Sequence, residues 1–191
     1  VPDLSFVATA NAVAYTGATP VFADVERDTL CLDPASFEAA ITPRTKAVMP
    51  VHLYGHPADM DAINRISKEH DLLVIEDAAE AVGAQIGTKR VGSLGHAAAF
   101  SLYGNKIITS GEGGLITTDD AELYKEMKHL RDQAMDPNKR YWHDRIGFNY
   151  RMTNMQAALG LGQLERIDGI LESKAGLFKM YHDRLSQLSP K

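Results

Sequence analysis

The stretch TKAVMPVHLYGHPADMDAINRISKEHDLLVIED, residues 45–77, decides the fold. TKAVMPV (45–51) reads as a buried strand, and LLVIED (72–77) is a continuous apolar run with the look of a strand covered on both faces. Between them Met60, Ile63 and Ile66 fall at helical spacing. Strand, helix and strand in this order make a right-handed crossover between parallel strands.

The alternation continues outward in both directions. Upstream, TANAVAYT (9–16) predicts a helix stopped by Gly17, TPVFADV (19–25) predicts a strand, and Asp33 followed by Pro34 opens a short helix, PASFEAAI. Downstream, AAAFSLY and GGLITT predict strands and DAELYKEMKHLRDQ a helix, before a polar, aromatic-bearing loop, MDPNKRYWHDRIGFNY. MTNMQAALGLGQLERIDGILESKAGLFKMYHDRLSQL predicts one long helix, with Leu164, Ile167, Leu171, Leu177, Tyr181, Leu185 and Leu188 along one stripe. The expectation is an α/β chain, a mostly parallel sheet flanked by helices. Residues 1–150 belong to the sheet-bearing domain and 151–191 to the long helix, with 143–151 as the hinge between them.

Bulk properties narrow the function classes. The 191 residues carry 20 basic and 25 acidic side chains, a net charge of −5, and no basic block that would track a phosphate backbone, so no nucleic acid partner is expected. Apolar runs such as AVMPV and LLVI are far shorter than the ~20 residues a membrane-crossing helix needs, so no membrane partner is expected either. Cys31 is the only cysteine, which excludes an intrachain disulfide and fits a cytoplasmic setting. A chain that opens at Val1 and closes in a helix at Lys191 reads as an excerpt of a longer one.

Ligands of such sheets bind outside the carboxyl ends of the strands, and two ionisable residues stand there. Asp77 closes LLVIED, and Lys106 follows AAAFSLY by three positions. A lysine amine forms Schiff bases with aldehydes, and Gly104, Gly111, Gly113 and Gly114 permit close backbone approach to a bulky bound group. A carboxylate held against a pyridine nitrogen keeps it protonated and makes the ring an electron sink. Together Asp77 and Lys106 describe a site for pyridoxal 5'-phosphate.

The segments SFVATANAV, GATPVFADV, VIEDAAEAVGA, VGSLG, FSLYGNKIITSGEGG and GFNYRMTNMQAALGLGQLE resemble the nucleotide-sugar aminotransferases of the DegT/DnrJ/EryC1/StrS family over nearly the whole chain. Asp77 and Lys106 are 29 residues apart, a separation similar to that in this family. The resemblance implies the large domain of a fold-type I aminotransferase, followed by a small domain, and transfer of an amino group from glutamate to a nucleotide-linked keto sugar. Lys106 is then the residue that bonds the cofactor and shuttles the proton, and Asp77 pairs with the pyridine nitrogen. Ser101 matches the serine at the cofactor phosphate, and Phe6 the aromatic residue that stacks on the ring. Asn149 matches an asparagine that reaches the phosphate of the neighbouring subunit's cofactor, which implies a homodimer. YGNKIITSGEGG with QAMDPNKRYWHDRIGFNYRMTN makes GDP-4-keto-6-deoxymannose the first expectation for the sugar nucleotide.

Glu80 departs from the commonest family pattern, which has glutamine three residues after the aspartate, at the ring's phenolic oxygen. An ionised glutamate would repel a phenolate, so Glu80 is expected to be protonated or to share a proton with that oxygen.

A dehydratase of the same family carries histidine at the Lys106 position, and a non-catalytic cofactor-binding module remains a further alternative. GEGGLI puts Ile116 where a dinucleotide fingerprint needs its last glycine, and Asn105 follows Gly104 where a P-loop needs lysine. His52 and His56, with Asp59 and Asp61 behind them, are separated by Gly55, which with Pro57 opposes the helical geometry of a metal-binding pair; no metal is expected. Lys139, Arg140, Tyr141, Trp142 and Arg145 fit either a solvated loop or a segment near the sugar nucleotide.

Overall fold

A computed structural model describes residues 1–188. The crossover is present: β1 (Ala47–Val48) lies parallel to β2 (Leu73–Asp77), and α3 (Met60–Glu69) connects them, after α1 (Ala8–Tyr15) and α2 (Pro34–Ala39). β2 pairs in parallel with β5 (Ala97–Ser101), and β5 pairs with β6 (Gly114–Thr117) in antiparallel fashion. The four-stranded order is β1-β2-β5-β6, a mostly parallel sheet. A short hairpin of β3 (Gln85–Ile86) and β4 (Lys89–Arg90), turning at Gly87 with φ 59°, lies outside it and was not anticipated.

Helix starts follow their capping residues. Asp33 accepts from the Ala35 N–H at 2.9 Å with Pro34 at the first helical position, and Asp59 accepts from Ala62 N–H at 3.0 Å. Met60, Ile63 and Ile66 of α3 are fully buried against Val48, Val74, Leu32 and Phe37, which form the main core on one face of the sheet. Each such side chain contributes about 1.5–3 kcal/mol.

Four expectations need correction. Residues 19–25 form no strand: Ala23 and Val25 make single bridges, to Pro2 and Leu32, and Val21 and Phe22 are exposed. The segments beside them supply one rung each, too few for a ladder. The strand predicted over 45–51 shrinks to Ala47–Val48 plus a bridge from Val51 to Asp77, because Pro50 has no N–H to donate. β2 is covered on one face only, with Val74 and Glu76 buried and Leu73 53% exposed. The opposite face lines an open groove with Ala97, Ala99 and Ile116.

The long terminal helix is two helices, α5 (Asn154–Leu164) and α6 (Ile167–Leu185), which follow α4 (Ala121–Arg131). Arg166 leaves helical angles at φ −114° and ψ 17°, breaking the run. Thr153 and Gln156 form a reciprocal capping box at the start of α5. Of the apolar stripe, Leu171 packs over Gly83, while Leu177, Tyr181, Leu185 and Leu188 are exposed.

Candidate active site

Asp77 and Ser101 stand at the carboxyl ends of adjacent parallel strands, Asp77 opposite Ala99 in the β2–β5 register and Ser101 two residues further on. The Asp77 side chain is fixed from two sides. Thr9, buried in α1, donates its hydroxyl to Asp77 Oδ2 at 2.6 Å, and the Ala79 N–H donates to Oδ1 at 3.1 Å. An ionised carboxylate offers about four lone-pair sites, so these two donors leave acceptor capacity for a further N–H.

Lys106 sits in the connection from β5 to β6, where its N–H donates to the Tyr103 carbonyl at 3.0 Å. Its Nζ lies 3.8 Å from Glu80 Oε1. The other oxygen of Glu80 accepts from the Tyr54 N–H at 2.8 Å. Tyr54 adopts φ 54° and Gly55 φ 84°, and a Cβ on Gly55 would lie 3.2 Å from the Glu80 carbonyl, so this turn wraps closely around position 80. A left-handed non-glycine residue is strained, and such strain clusters at functional sites.

The lysine connection is braced from α5. Gln163 accepts from the Thr109 N–H at 3.0 Å and donates to the Thr109 carbonyl at 2.6 Å. Thr109 Oγ1 and the Ser110 N–H both bond the Leu102 carbonyl, at 2.9 and 3.0 Å. The segment that carries Lys106 is a fastened loop.

Behind Asp77 lies a buried polar cluster that sequence reading missed. Glu76 accepts from the N–H groups of Gly92, Leu94 and Gly95 at 2.9, 2.7 and 2.8 Å and faces His52 Nε2 at 3.1 Å. His52 Nδ1 accepts from the Ala58 N–H at 3.0 Å, so the ring proton is on Nε2 and is donated to Glu76. Burial pushes the Glu76 carboxyl up, but these donors outweigh it and hold the group below its ordinary range. His52 is thus a structural residue that orients the end of β2.

Glu80 and Lys106 are brought together, Asp77 closes β2 three residues before Glu80, and Ser101 stands on the neighbouring strand end, its Oγ accepting from the Tyr103 N–H at 3.2 Å. Phe6 lies just ahead of α1, its carbonyl bonded by the Thr9 N–H at 3.3 Å and its side chain 77% exposed. Asn149 stands apart, exposed and bridged to Asp132. In the 136–145 loop, Lys139 lies 3.8 Å above the Trp142 ring and Arg140 4.8 Å above that of Tyr141, while Arg145 pairs with Glu126. Thr9, Tyr54 and Gln163 also escaped the sequence reading: an isolated threonine, a backbone N–H and a helix glutamine carry no motif. A groove of about 560 Å³ is lined by apolar residues such as Val13, Phe37 and Val48 and by none of Asp77, Glu80, Ser101 or Lys106.

The donor set suits a phosphorylated pyridine aldehyde: an amine for the aldehyde, a fixed carboxylate for the ring nitrogen, a hydroxyl at a strand end and an exposed aromatic ring.

Comparison with known proteins points to a family that uses this cofactor. The profile of the DegT/DnrJ/EryC1/StrS aminotransferase family matches residues 1–191. GDP-perosamine synthase of Caulobacter vibrioides is 57% identical over 188 residues, 98% of this chain and 51% of that protein. The GDP-perosamine synthase of Escherichia coli O157:H7 is 46% identical over 98% of this chain and 52% of its own length. Among solved structures, DesV of S. venezuelae superposes with a TM-score of 0.93 at 41% identity, covering 99% of this chain and 51% of that one. The chain spans about half the length of the curated relatives it matches.

Proposed function

Because the chain belongs to the DegT/DnrJ/EryC1/StrS aminotransferase family, whose members depend on pyridoxal phosphate, we propose that it carries the cofactor-binding chemistry of a nucleotide-sugar aminotransferase. The observation that carries this reading is the meeting of Lys106 and Glu80, three residues after an Asp77 carboxylate held by Thr9. Pyridoxal phosphate supplies an electron sink that stabilises negative charge at the donor's α carbon.

The chain's own residues then divide the work. Asp77 would hold a proton at the pyridine nitrogen, with its carboxylate fixed by two donors. Lys106 would hold the cofactor through its amine, and that amine would serve to carry a proton. Ser101 would hold the phosphate and Phe6 would cover the ring. Asn149, which is exposed on this chain, would serve the site of a second copy in a homodimer. Glutamate is the proposed donor.

The proposed acceptor is GDP-4-keto-6-deoxymannose, giving GDP-perosamine. Support comes from the two perosamine synthases at 57% and 46% identity. The test has two arms. Borohydride reduction in the presence of pyridoxal phosphate should fix the cofactor to Lys106, and incubation with glutamate and a panel of keto-sugar nucleotides should transfer the amino group. No mass gain at Lys106 sinks the proposal, and transfer to a different sugar alone redirects the substrate assignment.

A further inference from the structure

We infer that Glu80 is a positioning residue for Lys106, docking the amine through one carboxylate oxygen while the Tyr54 N–H holds the other. The inference deepens, and rests on, the reading of Lys106 as the cofactor-bearing amine.

Two donors converge on position 80 from different directions: the Tyr54 N–H at 2.8 Å from Oε2, and the Lys106 amine at 3.8 Å from Oε1. Glu80 thus offers one oxygen to a hydrogen-bond donor and turns the other towards the amine. A glutamine offers one acceptor and one amide that donates, so one of the two donors would face another donor. The geometry therefore accounts for an acid where the family's commonest pattern has an amide.

The Tyr54 contact is not an accident of a loose loop. Tyr54 and Gly55 both adopt left-handed angles, and the missing side chain of Gly55 lets the turn close on the Glu80 backbone. The carboxylate is thereby held from behind and presented to the lysine. The ion pair itself is partly screened, with 20% of the Lys106 side chain and 35% of the Glu80 side chain exposed, so its strength is modest and salt-sensitive. Asp77, the other nearby carboxylate, is already engaged by Thr9 and Ala79.

An amine held against a carboxylate is less free to turn towards an ester than one without a partner. Site-resolved acetylation by a water-soluble ester, read by mass spectrometry, therefore reports the contact, with Lys46 and Lys68 as internal references. Glu80→Gln should raise the Lys106 rate about threefold, the size expected of a partly exposed pair. Salt at about 0.5 M should lift the unsubstituted protein towards the variant and leave the variant unchanged. Equal Lys106 rates in the two proteins at low salt overturn the inference. If Glu80→Gln raises all lysines together, Glu80→Ala decides: added acetate should slow Lys106 alone and acetamide should not, whereas no effect of acetate overturns it. Borohydride trapping on the unsubstituted protein is read separately. Its failure removes the cofactor reading and leaves the acetylation result to stand for the ion pair.

Discussion

The Thr9 hydroxyl donates to Asp77 Oδ2 at 2.6 Å across 68 positions of sequence, joining α1 to the end of β2. Hydrogen bonds to charged acceptors are worth about 1.5–3 kcal/mol, and this one orients the carboxylate proposed to hold the ring nitrogen. Thr9→Val keeps the shape and removes the donor. Affinity for pyridoxal phosphate, measured by absorbance titration, should fall about tenfold. Unchanged affinity would remove Thr9 from the site.

Glu76 carries a prediction about acid stability. Its folded value is depressed below the ordinary 4.5, so it stabilises the fold above that pH and the contribution is lost as pH falls through the folded value. Glu76→Gln puts an amide donor among N–H groups and should lower stability by about 2 kcal/mol at neutral pH. Denaturant unfolding of both proteins should show the gap closing below pH 4.5. A gap that stays constant down to pH 3 would contradict the assignment.

Gln163→Leu removes both bonds to Thr109 without shortening the helix side chain greatly. Hydrogen exchange at residues 107–111 should accelerate by roughly tenfold, with α5 itself little changed, since each bond contributes about 1 kcal/mol. Exchange that rises equally in α5 would point to a packing role instead.

Gly147 lies where a Cβ would come within 2.3 Å of the Ala134 nitrogen and 2.4 Å of the Gln133 carbonyl carbon. Gly147→Ala must push these strands of the loop apart, at a cost of about 1–3 kcal/mol. Limited proteolysis should then cut between residues 133 and 148 faster than in the unsubstituted protein. Equal cleavage would mean that the loop relaxes freely.

How much of this was legible beforehand depended on periodicity and position. Met60, Ile63 and Ile66 announced α3, and Asp77 and Lys106 could be picked out because strand ends are where α/β sheets bind ligands. The strand expected over 19–25 failed because apolar alternation says nothing about whether a partner with several rungs is available. Glu76 left a signal that went unused: a glutamate inside an apolar run is almost never fully buried unless paired, so LLVIED called for partners. Thr9 and the Tyr54 N–H left none, since their roles exist only once segments distant in sequence meet.

The antiparallel pairing of β5 with β6 bears on the order in which the site is assembled. Ser101 and Gly114 are register partners 13 positions apart, so the frame around Lys106 closes a short loop and can form locally. Asp77 depends on parallel pairing and on a helix 68 residues away, contacts whose chain entropy must be overcome first. Folding should therefore present the nucleophile's loop early and its acidic partner late. A mildly destabilised chain loses the Thr9–Asp77 contact before it loses the secondary structure that carries either residue.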